Sequence, residues 1–271
     1  MTRPLSLAAL TVLELTPPAM VRCAFEAGYS HVGIRLIPAT GTEPQYGLVG
    51  DAPLVREVEA ALADTGVQVL DAEIFRLLPG KPVADYEAAV ATAARLGARE
   101  LLVAGNDPDD ARQIDAFAAF CALAGRYGLG AVLEFMPWTD AKDLAAAARI
   151  VARSGCANAG VLIDPFHFSR SRSRLDDIAL VAPAQLRYLQ FCDAPAAIPP
   201  GMDAILAQAR AERLFPGEGG LDLPALLRAL PSGTPLSVEV PTLALARTVD
   251  ATERARRALA ATRRVLAQVG E

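Results

Sequence analysis

Gly160-Val161-Leu162-Ile163-Asp164-Pro165-Phe166-His167 reads as a short buried strand that ends on a carboxylate, with an imidazole three residues later. Three other stretches share its shape: Ala131-Val132-Leu133-Glu134-Phe135, Arg187-Tyr188-Leu189-Gln190-Phe191 and Leu236-Ser237-Val238-Glu239-Val240. Each sets one oxygen-bearing residue near the end of an otherwise apolar run. A charge in such a run is costly unless it is paired or bound to a metal. Four of them on four successive strands point to one shared site.

Working outward, the same punctuation recurs along the chain. An amphipathic helix ends at a glycine, a few residues pass, and an apolar strand begins. Gly28 precedes Val32-Gly33-Ile34, Gly66 precedes Val67, Gly97 precedes Leu101, Gly128 precedes Ala131, and Gly155 precedes Val161. Glycine just past a helix end tolerates the positive φ that closes it. Between these points Leu54, Val58, Ala61 and Leu62 fall on one helical face, as do Ile114, Phe117, Cys121 and Ala124. The strands are continuous apolar runs, as expected when both faces are covered. Eight are expected, near Leu5–Leu10, Val32–Leu36, Val67–Ile74, Glu100–Ala104, Ala131–Glu134, Gly160–Asp164, Tyr188–Phe191 and Leu236–Val240. Strict β-then-α alternation implies a parallel sheet. Eight units predict a closed (β/α)₈ barrel, one domain over residues 1–271. No glycine-rich phosphate fingerprint follows the first strand, which weakens an open dinucleotide-binding sheet.

Composition agrees with this. Apolar residues make up 52 % of the 271-residue chain, ample for a core. A net charge of −5 offers nothing to nucleic acid. Cys23, Cys121, Cys156 and Cys192 are widely spaced, without a CxxC, and read as reduced core residues of a cytoplasmic protein. Arg3 and the run Leu5–Leu13 imitate a signal peptide, but Glu14 and Pro17-Pro18 follow without a small-residue cleavage site, so a first strand is expected there. No apolar run reaches the roughly 18 residues of a membrane span.

In a barrel the C-terminal strand ends meet at one face. Glu134, Asp164, Gln190 and Glu239 therefore converge on the mouth. Three carboxylates and an amide oxygen suit one hard divalent ion such as Mg²⁺, Mn²⁺ or Co²⁺, with positions left for substrate. The plainer alternative is a separate salt bridge at each strand end. A metal there would acidify the α-proton of a hydroxy-carbonyl compound. Glu134 and Glu239 across the mouth suit two-sided proton transfer. His167 either acts as base, orients substrate, or packs. Arg35, Arg76 and Arg213 should lie at the mouth, where guanidinium groups bind carboxylate or phosphate, so a small anionic substrate is expected. Glu73 either faces substrate with Arg76 or pairs with it. The run Ser169 to Arg174 reads equally as a loop capping the next helix. Trp138 is expected to wall the pocket.

The pattern resembles the xylose isomerase-like superfamily of barrels over essentially the whole chain. The matching residues are Glu134 in Leu-Glu-Phe-Met-Pro, Asp164 and His167 in Asp-Pro-Phe-His, Gln190 in Gln-Phe-Cys-Asp-Ala-Pro, and Glu239 in Val-Glu-Val. The resemblance implies one divalent metal on Glu134, Asp164, Gln190 and Glu239, and a substrate role for Arg213 before the Pro-Gly-x-Gly loop. Many of the superfamily's sugar epimerases have histidine where Gln190 stands; glutamine is a variant of the hydroxypyruvate isomerase and 3-dehydroshikimate dehydratase branches. Its abasic-site endonucleases use several histidines, and this chain has only His31 and His167. Many of these barrels pair up, so a homodimer is an expectation. The leading expectation is a metal-dependent isomerase or epimerase of a small sugar or hydroxy-carbonyl compound. The second is a dehydratase of the 3-dehydroshikimate type, and the third a barrel that binds a sugar-like ligand without turnover.

Overall fold

Each expected apolar run becomes a strand, and β-branched and leucine side chains cover both of its faces. The computed structural model describes residues 3–50 and 52–271, so Met1, Thr2 and Asp51 of the expected domain lie outside the described residues. The strands are β1 (Leu5–Leu7), β2 (His31–Arg35), β3 (Gln68–Leu77), β4 (Glu100–Gly105), β5 (Gly130–Glu134), β6 (Ala159–Ile163), β7 (Leu186–Phe191) and β8 (Leu236–Val238). They pair in sequence order, all parallel, and β8 closes on β1 through Leu5 with Leu236, Ser6 with Ser237 and Leu7 with Val238. The expected (β/α)₈ barrel is thus the observed fold. Helices wrap it, including Pro17–Ala27, Pro53–Thr65, Asp110–Arg126, Leu144–Ser154 and Ala251–Ala267. Among the described residues no helix is long and apolar enough to cross a membrane. All four cysteines are free.

The helix ends follow the glycine reading. Gly28 adopts φ 92° and its N–H closes the helix on Ala24 and Phe25, while Gly155 does the same work at φ 65°. The first strand is shorter than expected. After Leu7 the chain turns into a 3₁₀ segment, Ala9–Val12. Thr11 explains the turn: its hydroxyl donates to Val238 O at 2.8 Å and accepts from Val240 N at 2.9 Å. That side chain stitches the backbone on either side of Glu239.

The main core lies between barrel and helices. Inside the barrel a second cluster joins Leu70, Leu102, Val132, Leu162 and Tyr188, with Ile74 and Met136 above. At the N-terminal end the barrel is plugged by an ion pair, Arg187 to Glu100 at 2.9 Å. Two missing side chains make room for it. A Cβ on Gly130 would meet Glu100 Oε2 at 1.9 Å, and one on Gly160 would meet Arg187 Cγ at 2.1 Å and Gln185 O at 2.9 Å.

Gly160→Ala is expected to destabilise the protein by about 1–3 kcal/mol through overpacking. Gly125→Ala is the control. Gly125 lies inside the Asp110–Arg126 helix, where a Cβ would meet nothing closer than Asn158 Nδ2 at 3.5 Å. There alanine is expected to gain roughly 0.5–1 kcal/mol from helix propensity. Urea denaturation of both variants checks the pair; equal stabilities would show that the plug does not need the gap.

Candidate active site

Proline and aspartate set the first corner of the site. Pro165 cannot continue the β6 ladder but fits the first turn of a helix. Asp164 therefore leaves the strand at φ −102°, ψ 121° and caps the helix Pro165–Arg170, its Oδ1 accepting Phe166 N–H at 2.7 Å. One turn on, His167 is carried back over the mouth. Its Nε2 lies 3.6 Å from Asp164 Oδ2 and 3.6 Å from Glu134 Oε1, at the end of β5. Trp138 meets the imidazole edge to face, with ring centroids 4.9 Å apart.

Arg213 forms the second corner. Its backbone is drawn in by a bridge between Leu214 and Asp193, and Arg213 N donates to Pro241 O. Asp193 in turn accepts the N–H groups of Ala194, Gly217, Gly219 and Leu221, which folds the Pro-Gly-Glu-Gly loop around it. Arg213 Nη1 then reaches Asp164 Oδ2 at 2.5 Å and Glu239 Oε2 at 2.9 Å. Gln190 Nε2 donates to Glu239 Oε1 at 3.0 Å, leaving Gln190 Oε1 buried without a partner among the described residues.

Burial and charge divide the acids. Burial works to raise Asp164, but the Arg213 and His167 charges and its hydrogen bonds hold it below the usual carboxylate range. Burial pushes Glu134 well up, helped by Glu239 and Asp164. Burial also raises Glu239, to about 8, against Arg213. Burial pushes His167 down to about 4, although Asp164 works to raise it. At neutral pH the site thus holds a neutral imidazole beside an ionised aspartate.

The expected substrate residues line the same mouth. A cavity of about 390 Å³ is bordered by Arg35, Glu73, Arg76, Glu134, His167 and Glu239, among others. Arg35 lies between two acids, 3.7 Å from Glu73 and 3.8 Å from Glu43, too far for hydrogen bonds. Glu73 therefore faces Arg35 and not Arg76. Arg76 Nη1 donates to Asn106 Oδ1 at 3.2 Å and, among the described residues, meets no carboxylate within ion-pair distance. Arg170 of the Ser-Arg run turns inward instead, bonding Gln208 and Pro195 O and lying over Phe166.

The four expected ligands, Glu134, Asp164, Gln190 and Glu239, end on one face of the barrel. The tightest ligand-type group is Glu134, Asp164 and His167, whose donor atoms lie within 4.8 Å of one another. The chemistry of the set fits a divalent cation: of three buried carboxylates only Asp164 and Glu239 meet a guanidinium, and among the described residues the buried Gln190 Oε1 has no partner. Sequence reasoning missed Thr11, Asp193, Glu43 and Asn106. Asp193 carried a signal, a carboxylate three residues past Gln190 ahead of a glycine-rich loop; Thr11 carried none.

Comparison with known proteins gives a consistent picture. The family described as xylose isomerase-like TIM barrel matches residues 21–265. A 3-dehydroshikimate dehydratase of Pseudomonas aeruginosa is 30 % identical over 207 residues, which are 68 % of this chain and 31 % of that protein. A solved xylose isomerase-like TIM barrel/4-hydroxyphenylpyruvate dioxygenase fusion protein superposes with TM-score 0.82 at 21 % identity, covering 99 % of this chain and 43 % of that one. The IolI protein, solved with a zinc atom, also superposes with TM-score 0.82, at 18 % identity, covering 98 % of this chain and 99 % of its own. The chain thus spans less than half the length of the dehydratase and of the fusion protein.

The His167 reading has a direct check. In metal-free protein its Cε1–H resonance should stay unchanged between pH 5.5 and 8, because its titration lies near 4. Its folded value lies below the unfolded value of about 6.5. The stability tied to the neutral ring is therefore present above about 6.5 and lost as pH falls toward 4. A midpoint near 6.5 in the folded protein would mean that the ring is solvated.

Proposed function

The chain belongs to the xylose isomerase-like TIM-barrel family, and on that premise we propose that it is a divalent-metal-dependent lyase that dehydrates a small cyclic hydroxy-carbonyl acid of the 3-dehydroshikimate type. The observation that carries the reading is the buried set Glu134, Asp164, Gln190 and Glu239 around a neutral His167, with an acid-free arginine, Arg76, on the same cavity. The 30 % identity to a dehydratase supports the choice of dehydration over the isomerisation that ranked first on sequence alone.

Glu134, Asp164, Gln190 and Glu239 would hold the metal. When bound, a divalent ion supplies a Lewis acid for the substrate's carbonyl oxygen. The remaining work belongs to the chain. His167 is neutral and buried, so Nε2 is free to accept an α-proton, and the ionised Asp164 at 3.6 Å stabilises the imidazolium that results. Arg213 keeps Asp164 ionised and fixes Glu239. Arg76, with no acid within ion-pair distance among the described residues, binds the substrate carboxylate. Trp138, Ile74 and Met136 give the ring an apolar wall and exclude water. Loss of a β-hydroxyl as water then leaves a more unsaturated ring.

The second reading is isomerase or epimerase chemistry on a hydroxy-carbonyl compound. Two carboxyls that burial raises favour it, Glu239 to about 8 and Glu134 upward beside it. The product separates the two.

Two measurements test the proposal. Purified protein incubated with Mn²⁺, Mg²⁺ or Co²⁺ should retain about one ion per chain, and Glu134→Ala/Asp164→Ala should retain none; no ion in either would remove the enzyme reading. With metal, 3-dehydroshikimate should yield an aromatic ultraviolet band. Arg76→Met should raise KM about tenfold or more with a smaller change in kcat. Turnover of ketohexoses without any aromatic product would favour the second reading.

A further inference from the structure

One layer below the mouth lies a group of polar side chains that the proposed reaction does not use. Ser6, Asp71, Tyr188 and Ser237 are each no more than 1 % exposed. Ser6 Oγ, Asp71 Oδ1, Tyr188 OH and Ser237 Oγ have no hydrogen-bond partner among the described residues. Such groups are costly to bury unpaired, and native interiors satisfy nearly all of them with protein or ordered water.

Register shows that the four form one arc. Ser6 of β1 pairs with Ser237 of β8, and Gln190, two residues beyond Tyr188 on β7, also pairs with Ser237. On the other flank Asp71 of β3 pairs with Gly33 of β2. A Cβ on Gly33 would meet Asp71 Oδ1 at 2.9 Å and Oδ2 at 3.2 Å, so the carboxyl leans over β2 toward β1. Strands β7, β8, β1, β2 and β3 are consecutive around the barrel. The opposite side of the interior is apolar: Leu102, Val132 and Leu162.

Among the described residues no cation pairs with Asp71. Arg35 above is flanked by Glu43 and Glu73, and Arg187 below is bonded to Glu100. Burial, with the charges of Glu73, Glu239 and Glu100 outweighing Arg35, holds the Asp71 carboxyl well above its usual range. One carboxyl and three hydroxyls bring both hydrogen-bond donors and acceptors to the arc. That is a setting for water, which needs two to four polar partners.

We propose that this arc is a water-binding site, with one or a few ordered molecules held inside the barrel by Ser6, Asp71, Tyr188 and Ser237. Two residues further along their strands, about 6.6 Å up, stand Glu73, Gln190 and Glu239. A water in the arc spans that gap with two hydrogen bonds and so supports the candidate catalytic layer from beneath. The site does not depend on the identity of the reaction or on a metal at the mouth.

A high-resolution crystal structure of the full chain, grown with Na⁺ or K⁺ and soaked in Rb⁺, tests the site. The expected result is density within 2.6–3.2 Å of at least two of the four groups, without an anomalous Rb⁺ signal. Oxygen-17 magnetic relaxation dispersion in solution should also count fewer long-lived waters in Asp71→Leu than in wild type, with Asp71→Asn retaining them. Density showing the four groups bonded directly to one another would overturn the proposal. So would an Rb⁺ peak, which would make the arc a monovalent-cation site. The wild-type crystal decides the matter even if Asp71→Leu does not fold.

Discussion

Three carboxylates buried around one guanidinium set the terms for the rest of this barrel. Glu134, Asp164 and Glu239 crowd one buried place, and Arg213 reaches only two of them. The outcome is a graded set. Asp164, with the shortest contact to Arg213 and a backbone N–H on its other oxygen, stays ionised. Glu134, which has no guanidinium within ion-pair distance, is driven well up by burial and by its acidic neighbours. This division gives one site both proton acceptors and proton holders at the same pH.

Holding Arg213 in that place takes much of the long irregular segment after β7. Asp193 gathers four backbone N–H groups and bridges Leu214, which leaves the Arg213 side chain one way to point. Gly219 has to be glycine for this, since a Cβ there would meet Asp193 Oδ1 at 2.3 Å. Thr11 does similar work from the other side, tying β1 to the residues that flank Glu239. The N-terminal end of the barrel carries a different kind of acid. Glu100 is answered by Arg187, the two filling the gaps at Gly130 and Gly160, as a stability feature at the face opposite the candidate site.

Much of this was legible in the chain. Glycine-to-strand punctuation marked five of the eight strands and apolar runs marked the rest, because a helix end and a buried strand each leave a local mark. The alternation of Ser237 with Glu239 and of Tyr188 with Gln190 put the polar ends on one face. Less legible were features made by distant partners. The first strand ends early because Thr11 turns to reach β8, a contact 227 residues away in sequence. Glu73 faces Arg35, its partner in the β2–β3 register, and not Arg76 on its own strand, although all three line the mouth. Arg213, expected to meet substrate, spends one nitrogen on two acids. Asp71 looked like any polar residue in an apolar run until its strand register set it beside Ser6, Tyr188 and Ser237.

The arginines of the mouth then separate by what surrounds them. Arg35 is flanked by Glu73 and Glu43, so its charge is already answered twice, and a further anion there would face two carboxylates. Arg213 is committed to Asp164 and Glu239. Arg76 alone of the three meets an amide, Asn106, in place of an acid. Its guanidinium keeps donors in the planar arrangement that a carboxylate matches. Burial acts to disfavour its charge, so an incoming anion would regain what desolvation has taken. The same cavity has Trp138 and Met136 on its wall, which suits a flat ring carrying one carboxylate better than a polyhydroxylated neutral sugar.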